Sequence, residues 1–292
     1  MNIKIVLSAI LIAYCAQSQA QKINFKWEKD SIGERLIDKI AMSVPVTIEN
    51  KTYAFQFDLG ANATLIYDQC FSDAAFIKSK KIDPTSDAGG HTIFTIDDQS
   101  FNIGDYPIKN HKLYGLLNHS QGESCGTVGA DVFQGKCLIV DFPKQSITVV
   151  NEVDKDMDRK TAFVPMNIVN NKAIIPVKID GKTYNFLYDS GSSIFPIVSY
   201  RQNFDRLITN AKAKDELNIR NFNNPLIVKS VEINTAVQIG DNTFGLKEFW
   251  YTEDDFFSFK QDNIDGIIGN IFFMDKTIVI DFRNKRFGII KK

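Results

Sequence analysis

Two stretches of this 292-residue chain are copies of one another, and that duplication limits what the chain can fold into. Residues 44–65 (VPVTIENKTYAFQFDLGANATL) align without a gap on residues 175–196 (IPVKIDGKTYNFLYDSGSSIFP) at an offset of 131, with nine identities in 22 positions. A later pair, residues 126–150 and 266–290, aligns at an offset of 140 with six identities. Each half therefore runs in the same order: a strand ending in Asp-X-Gly, a variable middle, a hydrophobic-hydrophobic-Gly turn and a final hairpin. Repeats fix architecture before any local detail does. Here they predict two related lobes facing each other across a pseudo-two-fold axis.

Period-two alternation and β-branched or aromatic residues dominate residues 44–57, 92–103, 174–187 and 228–239, which reads as short strands. Turn residues separate them at Glu49-Asn50, Gly104-Asp105, Asp180-Gly181 and Gly240-Asp241. The best helix candidates are residues 67–79 and 200–216, each shortly after an Asp-X-Gly element. The polar stretch 151–160 lacks apolar periodicity and falls between the repeats, as an interlobe connection would. The expected organisation is a mainly β chain with a signal peptide at 1–20, one lobe at 21–155 and a second at 156–292.

The first twenty residues have the form of an export signal. Lys4 supplies the positive start, residues 5–13 the apolar core, and Ser18-Gln19-Ala20 a small-X-small cleavage site. That apolar run is too short for a permanent membrane helix. Cys15 raises a lipoprotein anchor as the alternative, which the bulky Tyr14 before it disfavours. The expected product is periplasmic or secreted, with no integral membrane segment after cleavage. The net charge of −1, with both signs interspersed, gives no basis for nucleic-acid binding. Three cysteines remain in the mature chain, an odd number that permits at most one internal disulfide. Cys70 and Cys125 are the pair to test, because Cys137 sits in a strand-like run and reads as a small buried hydrophobe. His91, His111 and His119 show no metal-ligand spacing.

The repeat also carries chemistry. Asp58-Leu59-Gly60 and Asp189-Ser190-Gly191 each end an apolar strand, and the glycine lets the backbone turn where a side chain would clash. One Asp-X-Gly turn is commonly structural. Two in matching contexts bring a pair of carboxylates together, and two such groups a few ångströms apart cannot both ionise cheaply. One keeps a proton while the other acts as a base, so an acid and a base stand side by side. Such a pair activates a water against an amide carbonyl.

These motifs, FQFDLGANATL with GTVG and FLYDSGSSIFP with GIIG, resemble the pepsin and retropepsin superfamily of aspartic peptidases in its bilobed, single-chain form. The resemblance covers both halves. It implies an acid-protease fold of two homologous β-barrel-like lobes around a central cleft, with Asp58 and Asp189 as the catalytic pair. Gly60, Ser190, Gly191 and Ser192 would shape their loops, with Val128-Gly129 and Ile268-Gly269 packed beneath. It implies a polypeptide substrate and no cofactor or metal, and a monomer suffices because one chain supplies both aspartates. A flap hairpin is expected near Gly89 and Gly90, whose freedom suits a moving lid; an ordinary surface turn is the alternative. Residues 256–259 could line a subsite, although such aromatic residues are more often core.

The chain departs from the family pattern at Leu59, where Thr or Ser is usual and its hydroxyl bonds across to the other lobe. Ala61 likewise lacks the hydroxyl that Ser192 offers. From this asymmetry Asp189 is expected to be the better hydrogen-bonded, ionised partner and Asp58 the proton carrier. Three readings follow: an exported aspartic endopeptidase, a catalytically weak or inactive homologue binding peptide or glycan in the same cleft, and a β-rich structural or carbohydrate-binding protein whose aspartates merely turn the chain.

Overall fold

The computed structural model describes residues 20–32, 35–88, 90–221, 224–253 and 262–291. The duplication reappears as two eight-stranded sheets with the same strand order. In the first, neighbours run Lys26–Ile32, Arg35–Ile48, Lys51–Phe57, Gly126–Val128, Leu65–Tyr67, Tyr106–Leu116, His91–Ile103 and Lys81–Ala88. In the second they run Asn167–Val169, Lys172–Ile179, Lys182–Tyr188, Gly266–Ile268, Ile197–Tyr200, Asn242–Thr252, Asn224–Ile239 and Lys212–Asn221. Alternation drives both. Val44, Val46, Ile48, Phe55 and Phe57 are buried in the first lobe, and Ile175, Val177, Ile179, Phe186 and Tyr188 occupy the matching places in the second. Burying each such side chain is worth about 1.5–3 kcal/mol. The hairpins close where the turn residues predict, with positive φ at Glu49, Asn50, Asp180 and Gly181, as the primed turns of two-residue hairpins require.

A third sheet joins the halves. Its six strands run Gln21–Asn24, Ser146–Val150, Cys137–Asp141, Thr277–Asp281, Arg286–Ile290 and Thr161–Pro165. At its centre Ile139 faces Val279, its own counterpart at the offset of 140, so the pseudo-two-fold axis passes between them. The polar stretch between the repeats forms a short helix, Lys155–Lys160, capped by Asp154, whose side chain accepts from Met157 N at 2.8 Å. That helix is tied to the third sheet through Arg286. Its Nε donates to Asp281 at 2.8 Å and its Nη1 meets Asp158 at 2.6 Å, while the guanidinium lies 4.0 Å from the Phe163 ring centroid.

Helices are fewer than the sequence suggests. Residues 67–79 supply only two 3-10 turns, Asp68–Phe71 and Phe76–Ser79. Residues 200–216 give a 3-10 turn, a four-residue helix at Asp205–Ile208 and then the strand beginning at Lys212. The reason is tertiary: that strand completes the edge of the second sheet, and ladder pairing with Asn224–Ile239 overrides a weak local helical preference. Cys70 and Cys125 form a disulfide with Cα atoms 5.5 Å apart, and Cys137 is free and buried. Among the described residues no helix is long and apolar enough to cross a membrane. The signal-like segment with Cys15, Gly89 and the phenylalanines at 256, 257 and 259 lie outside the described residues.

Two stability predictions follow from these ties. Asp281 is fully buried, so Arg286→Ala should cost about 3 kcal/mol by leaving a buried carboxylate without its cation. Urea denaturation reads this, and an unchanged midpoint would contradict it. The disulfide closes a loop with a sequence separation of 55. The chain-entropy estimate for that length is about 4 kcal/mol, so Cys70→Ala/Cys125→Ala should lose on the order of 2–4 kcal/mol, with no loss speaking against the crosslink.

Candidate active site

Each Asp-X-Gly element leaves its strand in the same way. The strand Lys51–Phe57 runs parallel to Gly126–Val128, and Asp58 N donates to Val128 O at 3.0 Å. Its counterpart Lys182–Tyr188 runs parallel to Gly266–Ile268, and Asp189 N donates to Ile268 O at 3.0 Å. The two hydrophobic-hydrophobic-Gly turns therefore seat the two loops from below. Their glycines have no room for a side chain: a Cβ on Gly129 would lie 2.5 Å from the Ala63 carbonyl, and one on Gly269 would run into Ser192 O.

The loops meet across the axis. A Cβ built on Gly60 would fall 2.5 Å from Asp189 Cγ, and one built on Gly191 would fall 2.6 Å from Asp58 Cγ. Each glycine is thus the surface against which the opposite carboxyl rests. The two carboxyls therefore approach one another across the axis, and both residues keep an exposed edge. The carboxyls are also held from their own loops. Asp58 Oδ1 accepts Gly60 N at 2.8 Å and Ala61 N at 3.3 Å, while Asp189 Oδ1 accepts Gly191 N at 2.9 Å.

Desolvation raises Asp189 well above the ordinary carboxyl range, and the charge and hydrogen bond of Asp58 push the same way. The backbone N–H groups of Gly191 and Ser192 oppose this without reversing it. This direction is opposite to the one that counting hydroxyls predicts for Asp189. The Ser190 hydroxyl points away from Asp189 and across the axis. It accepts from Leu59 N at 2.9 Å and donates to Phe57 O at 3.0 Å. Leu59, fully buried, has no hydroxyl to return that bond.

The surrounding polar contacts differ between lobes, and none was anticipated. In the first lobe Asp131 holds Thr64, accepting its backbone N–H at 2.9 Å and its hydroxyl at 2.8 Å, with His111 Nε2 2.9 Å away. In the second, Tyr188 donates to Asn270 Oδ1 at 2.7 Å. Tyr67 bonds Thr127 Oγ1 at 2.8 Å and Gln121 Oε1 at 3.1 Å, and burial lifts its hydroxyl to about 12. The His119 ring packs edge-on against Tyr67 and against His91, at 4.6 and 4.4 Å between centroids. A comparison of the repeats position by position flags some of these residues, because Tyr188 and Asn270 stand opposite Phe57 and Ala130. Gly90, with φ of +83°, lies in the turn between Lys81–Ala88 and His91–Ile103, the hairpin in which a flap was expected. Among the described residues no group of three or more His, Cys, Asp or Glu side chains is arranged to hold a metal ion.

The same layout of lobes is found in a solved protein. The crystal structure of an aspartic proteinase from Irpex lacteus matches with a TM-score of 0.57, over 94% of this chain and 97% of that one, at 13% identity. The fold is that of the pepsin-like aspartic proteinases. No protein-family model and no curated protein matches the chain. At this identity the likeness establishes the aspartic-proteinase fold, and any chemistry has to be argued from the residues themselves.

The raised Asp189 makes a stability prediction. A carboxyl whose folded pKa exceeds its unfolded value adds stability that is complete below the unfolded value and is lost as pH rises through the folded one. Asp189→Asn removes that loss. Denaturation midpoints across pH 4 to 8 should therefore fall less with rising pH in Asp189→Asn than in the wild type. Parallel pH profiles would contradict the assignment.

Proposed function

We propose that this chain is an exported aspartic endopeptidase whose working groups are Asp58 and Asp189. The observation that carries this reading is the approach of the two carboxyls across the axis, each lying against the other loop's glycine. A structural turn needs neither a second carboxyl nor a shared proton. In the reaction, a water lodged between the carboxyls gives a proton to Asp58 as its oxygen bonds to the scissile carbonyl carbon. Asp189 passes its proton to the carbonyl oxygen. The proton held on Asp58 then goes to the amide nitrogen as the C–N bond breaks, and one hydroxyl of the gem-diol returns its proton to Asp189 as the new carbonyl forms, which restores the starting pair. The loops supply the preorganisation, since backbone N–H groups fix both carboxyls before substrate arrives. Gly60, Gly191, Gly129 and Gly269 act by permitting close approach, Val128 and Ile268 by seating the loops, and Ser190 by linking the lobes. Ser192 contributes its backbone N–H. A polypeptide is the substrate, and the hairpin around Gly90 is the proposed flap. Export is supported by the signal-like first twenty residues and by a disulfide, which persists in oxidising compartments.

Leu59 favours a second reading. Without its hydroxyl only Ser190 links the two loops directly through its side chain, and a looser pair would bind peptide or glycan without hydrolysing it.

A fluorogenic peptide library assayed from acidic to neutral pH separates the two readings. Cleavage should fall on the alkaline side as Asp189 loses its proton. Asp58→Asn and Asp189→Asn should each lower the rate by about 10²–10⁴-fold, the usual contribution of a positioned acid or base. Peptide binding without cleavage at any pH would establish the second reading instead.

A further inference from the structure

The two lobes brace their aspartate loops with different chemistry. Phe57, Asn62 and Ala130 of the first lobe correspond to Tyr188, Ser193 and Asn270 of the second. Asn270 is fully buried. Its Nδ2 donates to Ser190 O and to Ser193 Oγ, both at 2.9 Å, and its Oδ1 accepts from the Tyr188 hydroxyl at 2.7 Å. Ser193 Oγ also donates to Ser190 O, at 3.1 Å. The same Nδ2 lies 3.5 Å from Met42 Sδ, on the other lobe. Ala130 has no polar side chain with which to do the same for the first loop.

These bonds converge on one peptide unit. Ser190 C=O and Gly191 N–H belong to the same rigid plane, so a donor fixed on the carbonyl also fixes the N–H. That N–H donates to Asp189 Oδ1 at 2.9 Å. The hydroxyl of the same serine makes both bonds to the other lobe, to Leu59 N and Phe57 O. Leu59 can return neither. One residue, Ser190, thus carries the side-chain link that family members of this fold share between two hydroxyls.

We infer that Asn270, held by Tyr188, is a positioning residue for the aspartate pair: it immobilises the Ser190–Gly191 peptide and so compensates, within the second lobe, for the hydroxyl missing at Leu59. This rests on Asp58 and Asp189 being the working groups, but its consequences for their titration do not require turnover. Losing the fixed Gly191 N–H removes a bond that lowers Asp189, so the upper titration step of the pair should move further up. Loosened carboxyls should also lower kcat while leaving KM nearly unchanged, because the ground-state contacts of the peptide are untouched.

The test is a double-mutant cycle. Asn270→Ala is made alone and together with Leu59→Thr, which restores a hydroxyl at the counterpart of Ser190. Alone, Asn270→Ala should lower kcat about tenfold with KM changed by less than about twofold, consistent with a sub-ångström misplacement. Combined with Leu59→Thr, the loss should shrink to less than about threefold, since neighbouring groups that share a task couple. Equal losses in both backgrounds, or a rise in KM alone, would overturn the inference. Tyr188→Phe removes only the hydroxyl and serves if Asn270→Ala does not fold. If no peptide is cleaved, carbon-13 NMR titration of the aspartate carboxyls decides: an upward shift in Asn270→Ala supports the role, and an unchanged titration refutes it even when stability has dropped.

Discussion

The molecule is organised around the mutual fit of two loops, in which the glycine of each is the resting place of the other's carboxyl. A Cβ at either glycine would fall 2.5 or 2.6 Å from the opposite Asp Cγ, so both loops must be bare for the acids to meet. Everything larger serves that contact. Two copies of one eight-stranded sheet bring an apolar strand to the axis, and a six-stranded sheet crossing it keeps the halves in register at Ile139 and Val279. Two carboxyls held this close resist joint ionisation, because it would set like charges together in a poorly solvated place. The geometry is the cause, and the raised Asp189 is its consequence.

Symmetry stops at the level of side chains. The backbone frame of the two loops is matched almost bond for bond, from the carbonyl acceptor below each aspartate to the N–H groups above it. Their supports are not matched. One loop is clamped by Asp131 on Thr64, the other by Asn270 on Ser190. Such divergence is what a duplicated scaffold allows: each half must keep its loop in place, but how it does so is free to drift. The lost hydroxyl at Leu59 is tolerated in this setting because Ser190 and its supports remain.

Much of this was legible in the sequence, for physical reasons. Period-two alternation predicted the strands, since a half-buried sheet demands it. Asn50 and Gly181 marked their hairpins because positive φ excludes most other residues. The duplication alone sets Asp58 opposite Asp189. What stayed hidden depended on distance in space. Residues 200–216 look helical locally and end as an edge strand because a neighbouring strand is there to pair with. The upward push on Asp189 was hidden because neighbouring hydroxyls are visible in sequence whereas desolvation is not. The repeat comparison marks Asn270 only as a departure from Ala130, and Asp131 looks like an unremarkable turn residue until the loop it holds is folded beside it.

The central claim is a single proton shared by two carboxyls on the axis, and neutron diffraction from deuterium-exchanged crystals tests it most directly. The account predicts one deuteron between Asp58 and Asp189, assigned to Asp189, with one water in contact with both carboxyls. Two carboxyls standing apart, each separately hydrated and neither deuterated, would contradict it.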